Sequence, residues 1–198
     1  VGADLASATD DLLLVSRKGM SVRFHADDST LRPMGRATSG VTGMRFRGDD
    51  RLLSMSVIPA DADPDVFVVF ENGLAKRSKA SEWNVKGRGI LGVAVARLSE
   101  KGGDLVGALT VEDTDEVMVV MEKGKIVRSA VSEVNYTGRL TMGVKFATPD
   151  HDDAIVAVAR NAETTSDEDN GVPSDQTEAG QAVDRAVEPG APAEPAKD

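Results

Sequence analysis

The residue types able to do chemistry reduce quickly to cations. The chain of 198 residues has no cysteine, which removes thiolate nucleophiles, thiolate metal sites and disulfides together and fits a reducing compartment. His25 and His151 have no partner at ligand spacing, and a solvated loop suits them better than a metal site. No serine lies beside a plausible base and acid, so nucleophilic catalysis has no candidate. Gly87-Arg88-Gly89-Ile90-Leu91-Gly92 satisfies G-x-G-x-x-G, yet a dinucleotide fingerprint needs a following helix and an acid about 20 residues on. No catalytic residue, metal or cofactor is expected.

Arginines, by contrast, recur at fixed intervals. GRATSGV (35–41), GRGILGV (87–93) and GRLTMGV (138–144) share G-R-x-x-x-G-V, which places Arg36, Arg88 and Arg139 one period apart, with Gly40, Gly92 and Gly143 closing each match. A second set follows a turn glycine by four positions: Arg23 after Gly19, Arg77 after Gly73 and Arg128 after Gly124. Cations repeating in register can form a stripe that matches a repeating polyanion, namely duplex DNA met through its phosphates. The competing reading is solvated loops of alternating sign, with arginines guarding edge strands against aggregation. Aromatic residues make up 4%, so backbone contact is favoured over base stacking.

Those arginines must be held by strands. LLLVSRKGMSVR (12–23), VFVVFENGLAKR (66–77) and VMVVMEKGKIVR (117–128) each read as two apolar strands around a tight turn, in which glycine supplies the positive φ of a two-residue hairpin. RLLSMSVI (51–58), DLVGALTV (104–111) and DAIVAVAR (153–160) close the repeats as further buried strands. With one strand after each G-R-x-x-x-G, the expectation is about four strands per unit of roughly 50 residues and an all-β, propeller-like array. The expected units are 11–62, 63–113 and 114–160. Residues 1–10 read as the end of a preceding unit, so the chain is expected to start inside a larger array.

Charge is segregated along this repeat. The net charge of -10 argues at first against a nucleic-acid binder. Residues 161–198, however, hold ten acids and two bases and lack Leu, Ile, Phe, Met, Trp and Tyr, the composition of a disordered acidic tail. Stretches 17–51, 76–101 and 123–145 carry a net +13. Acids cluster between them as DADPD (61–65), EDTDE (112–116) and DHDD (150–153). No apolar run reaches the length of a membrane span, and a cytoplasmic location is expected.

Together, the segment Phe70 to Ser78, the S-E-x-N-x-x-G-R-x-x-x-G-V blocks and the period resemble the C-terminal domain of the A subunit of bacterial DNA gyrase. The likeness to the topoisomerase IV domain is weaker. The resemblance implies a β-pinwheel of four-stranded blades, about three of them here, that wraps DNA on a basic rim. It further implies a non-catalytic module of an ATP-dependent type II topoisomerase that introduces negative supercoils in association with the nucleoid. ATP and Mg2+ would be bound elsewhere, and a second A subunit and the gyrase B subunit would be engaged through a part not present here. The basic gyrase box of the family is missing from these residues. Lys18, Arg23, Lys76, Arg77, Lys79, Lys123 and Arg128, near the hairpins, together with Arg45 and Lys145 after the G-V, are the expected DNA contacts, because turns project into solvent. Arg36, Arg88 and Arg139 lean toward a structural role, locking neighbouring blades. The alternative class is a propeller-like protein-interaction scaffold.

Overall fold

A computed structural model describes residues 2–161; the acidic segment from residue 162 onward lies outside them. Among the described residues, eleven strands form three antiparallel sheets. In the first, β1 (Asp11–Ser16) pairs with β2 (Met20–His25) on one side and β3 (Leu52–Ile58) on the other. The second repeats this with β4 (Asp65–Phe70) between β5 (Leu74–Lys79) and β7 (Leu105–Val111). The third places β8 (Glu116–Met121) between β9 (Ile126–Ala130) and β11 (Ile155–Asn161). Asn161 thus ends a strand, pairing with Glu116, and does not begin the tail.

The remaining strands cross between repeats. β6 (Val93–Ala94), directly after the motif glycine of the second repeat, pairs with β2 of the first sheet, Ser21 opposite Val93. β10 (Val144–Lys145) in the third repeat likewise pairs with β5, Ala75 opposite Val144. The expectation that each unit keeps its own post-motif strand is corrected: that strand completes the sheet before it. Among the described residues the third sheet has three strands, and the first repeat's segment after Gly40 forms only a bridge, Met44 to Ile90.

Residues 2–10 form no strand. Their turn does match one between sheets two and three. Ser7 donates its backbone N–H to the Asp10 carboxylate at 2.7 Å, as Glu112 does to Asp115 at 2.7 Å.

The apolar runs fold as strands because they bury both faces. Along β4, Val66, Val68 and Phe70 enter the core shared with the first sheet, with Leu13, Val15 and Trp83. Phe67 and Val69 enter the core shared with the third, with Val117, Val119 and Met121. Each such side chain contributes about 1.5–3 kcal/mol through burial. β3, β7 and β11 lie side by side across the two seams. At Gly107 a Cβ would overlap Val158 of β11, so glycine permits the close approach there.

Candidate nucleic-acid interface

The hairpin arginines are anchored, each by the acid that opens its sheet. Arg23 Nε donates to Asp11 Oδ2 at 2.7 Å and its guanidinium also reaches the Ala80 carbonyl at 2.8 Å. Arg77 lies against Asp65 at 3.5 Å, donates to Asp113, and is covered by the Tyr136 ring 3.9 Å away. Arg128 pairs with Glu116 and holds that carboxyl below its ordinary range. The geometry is the same throughout: the arginine sits diagonally across the hairpin from the first residue of the preceding strand. Lys79 reaches Asp65 at 2.7 Å, which raises its pKa. All four are paired with the opening acid of their own sheet, Arg23 and Arg77 largely buried and Arg128 and Lys79 with side chains 47% and 44% accessible.

Lys76 departs furthest from expectation. Its side chain is fully buried, and its ammonium donates to the carbonyls of Val95 (3.2 Å), Gly138 (3.0 Å) and Arg139. Burial pushes its pKa down to about 8, with Glu82 opposing and Arg139 adding to the shift. The physical reason is the crossing strand. With β10 on its outer side, β5 is an interior strand in which Lys76, Arg77 and Ser78 are buried, while Lys79 at its end keeps a side chain 44% accessible.

The motif arginines bridge repeats. Arg88 donates from Nε to the Thr30 carbonyl at 2.7 Å and from its guanidinium to Thr42 at 3.2 Å. Arg139 donates to Ala94, which occupies the position in its repeat that Thr42 occupies in the first. Arg36 is exposed. Gly92 and Gly143 have φ of 78° and 85°, and a Cβ at either would overlap the carbonyl oxygen of Ser21 or Ala75 on the strand it pairs with. Gly40 has φ 74° with nothing within 4 Å. In the second repeat the glycine pattern leads into β6 and not into a helix.

The remaining expected contacts also lie at the surface. Lys18 is exposed but faces Asp104 at 3.1 Å, which raises its pKa. Lys123 is exposed and donates to the His151 carbonyl at 2.9 Å. Arg45 and Lys145 are exposed and make no ion pair among the described residues. A cleft of about 280 Å³ gathers Lys18, Arg45 and Arg47 with Met20, Leu91 and Gly92, with Asp50 the acid among them. It brings together two expected contacts and one, Arg47, that was not expected.

Arg97 was also missed by the sequence reading. Its backbone N–H donates to Thr141 O at 3.1 Å, just as that of Arg45 donates to Ile90 O at 2.9 Å. Each arginine stands nine residues after its motif arginine, on a loop pinned to the next repeat. Arg97 is likewise exposed and, among the described residues, free of ion pairs. Its spacing was the available signal. Among the described residues no group of His, Cys, Asp and Glu could hold a metal, and no helix is long and apolar enough to cross a membrane.

Known proteins resemble this chain in sequence and fold. The family model described as DNA gyrase C-terminal domain, beta-propeller, matches residues 10–59, 65–112 and 115–161. The DNA gyrase A subunit of Streptomyces coelicolor is 48% identical over 195 residues, covering 97% of this chain and 22% of that protein. Its counterpart in Mycobacterium tuberculosis H37Rv is 48% identical over 172 residues, covering 87% and 20%. The chain therefore spans about a fifth of the length of the curated relatives it matches. Among solved structures, a DNA gyrase A C-terminal domain superposes with a TM-score of 0.68 at 27% identity, over 76% of this chain and 50% of the other. The C-terminal domain of a DNA topoisomerase IV superposes with a TM-score of 0.72 at 23% identity, over 79% and 48%, which speaks for the fold. Three matched repeats, the crossing strands that join them and the near-half identity to gyrase A subunits lead to one assignment: the chain belongs to the DNA gyrase C-terminal domain, beta-propeller family.

Proposed function

We propose that this chain is a non-catalytic DNA-wrapping module of a gyrase A subunit, binding duplex DNA along its rim through phosphates. The observation that carries the reading is the pair Arg45 and Arg97, which occupy equivalent positions and share the same backbone anchorage, exposure and, among the described residues, freedom from ion pairs. Cations at equivalent positions of two successive repeats suit a ligand whose charge also repeats. Arg47 and the partly engaged Lys18 extend the surface in the first repeat, and Lys145 extends it on the strand that completes the second sheet. Lys76, Arg77 and Arg23 support it from beneath through contacts between repeats, while Arg128 and Lys79 stand at the surface paired with Glu116 and Asp65.

In the whole enzyme the wrapped segment would be presented for ATP-driven strand passage and negative supercoiling. A second A subunit and the B subunit would be partners there, with ATP and Mg2+ bound outside this chain, in the nucleoid. The test is retention of a duplex by the chain over a salt series. The log of affinity is expected to fall with log salt by about 0.9 per phosphate contact. Retention that ignored salt would overturn the reading.

A further inference from the structure

The three repeats do not offer the same surface to a polyanion. The loop after each motif runs Arg45-Phe46-Arg47-Gly48-Asp49-Asp50-Arg51 in the first repeat, with three bases and two acids. In the second, residues 97–104 hold Arg97 and Lys101 against Glu100 and Asp104. In the third, Thr148 and Asp150 occupy the positions of Arg45 and Arg47, and residues 148–154 hold three acids and no Lys or Arg. That loop also draws in the cations next to it. Lys123 donates to His151 O at 2.9 Å and Lys125 lies 3.8 Å from Asp150. Asp150 and Asp152 remain largely exposed, with side chains 73% and 81% accessible.

We propose that the duplex is gripped by the first and second repeats and leaves the rim at the third, turned away by the acidic loop 150–153. The inference rests on the DNA-binding reading above and adds a direction and an end point to the path. Its physical basis is short-range. At physiological ionic strength charges interact over roughly 8 Å, so the sign of each loop acts on the phosphates nearest to it and not on the whole wrap. An overall negative chain can therefore hold DNA over two sheets and release it at the next. The hydrogen bonds that pin Arg45 and Arg97 to the following repeat fix where the cations stand, so the gradient is built into the sheets.

The absence of cysteine makes a direct test available. Single substitutions Arg45→Cys, Arg97→Cys and Thr148→Cys in the full chain would each carry a tethered DNA-cleaving reagent, with a duplex of about 40 base pairs as the probe. Strand cleavage is expected from positions 45 and 97 and to be about tenfold weaker from position 148. Equal cleavage from all three would overturn the proposal. Adding Asp150→Asn and Asp152→Asn to the Thr148→Cys chain should bring its cleavage to within about threefold of the Arg97→Cys level; cleavage that stayed low would overturn the electrostatic cause. Failure of the unmodified chain to retain DNA in a salt-dependent manner would instead refute the DNA-binding reading itself, so the two failures are distinguishable.

Discussion

The ammonium of Lys76 donates a 3.0 Å hydrogen bond to the carbonyl oxygen of Gly138, tying the second sheet to the motif loop of the third repeat. Lys76 is a buried cation whose other hydrogen bonds also go to carbonyls, and its pKa is pushed from the ordinary 10.5 down to about 8. Between those values the unfolded chain keeps the proton and the native chain does not, so the native state gains stability as pH rises through the window. Below pH 8 the cost of the buried charge is fully present. Compared with Lys76→Met, the unsubstituted chain should gain up to about 1.4 kcal/mol per pH unit between pH 8 and 10. Urea midpoints of both chains across that range check this; a gap that does not move with pH would contradict it.

The motif glycines should separate by context. Gly92→Ala adds a Cβ that overlaps the Ser21 carbonyl, whereas Gly40→Ala meets open space. Both carry the cost of a left-handed backbone, about 1–2 kcal/mol. Gly92→Ala must in addition displace β6 from the first sheet. Thermal unfolding should show a clearly larger loss for Gly92→Ala, and equal losses would contradict the crossing-strand pairing.

Asp65 is the busiest buried acid. It accepts from Tyr136 Oη at 2.8 Å and faces Lys79 at 2.7 Å and Arg77 at 3.5 Å. Asp65→Ala removes the acceptor of Tyr136, the acid facing Lys79 and one of the two acids at Arg77, whose pair with Asp113 remains, and is expected to cost about 3 kcal/mol. Tyr136→Phe removes one hydrogen bond to a charged group while keeping the ring over Arg77, at about 1.5–3 kcal/mol. Denaturant unfolding of the two chains gives the order, and a larger loss for Tyr136→Phe would be inconsistent with this arrangement.

Trp83 is the chain's single tryptophan, buried at the seam between the first two repeats, with its indole N–H donating to Ser21 Oγ at 2.8 Å. Ser21 in turn donates to Val93 O at 2.9 Å. Ser21→Ala strands the indole donor, an expected cost of about 1–3 kcal/mol. Tryptophan emission, which reports this seam, should shift at a lower denaturant concentration in the variant.

The extent to which the sequence foretells this molecule depends on how local each feature is. β4 was legible because an unbroken apolar run between Asp and Asn-Gly cannot be satisfied except with both faces covered. The hairpin glycines and the motif period were legible for the same reason. The pairing of β6 with β2 was not, because a strand of two residues carries no periodicity and its partner lies a full repeat away. That crossing also governs Lys76. Its equivalents are Val22 and Val127, so comparing repeats marks the position as interior, while the lysine itself suggests the surface. Arg97 needed only the spacing of Arg45. The acids that anchor Arg23, Arg77 and Arg128 stand in the sequence at constant distance, but only the hairpin register turns that distance into a contact.

The crossing strands also bear on how such a chain can grow or shrink. The stretch that repeats along the sequence and the sheet that folds are out of step, because every completed sheet takes its outermost strand from the following copy. A gene duplication or deletion of one copy therefore edits two sheets at once, and the new neighbour must present a glycine able to meet the existing strand. Gly92 and Gly143 are thus the joints between copies, since a Cβ at either would meet the backbone of the sheet that the strand after it completes.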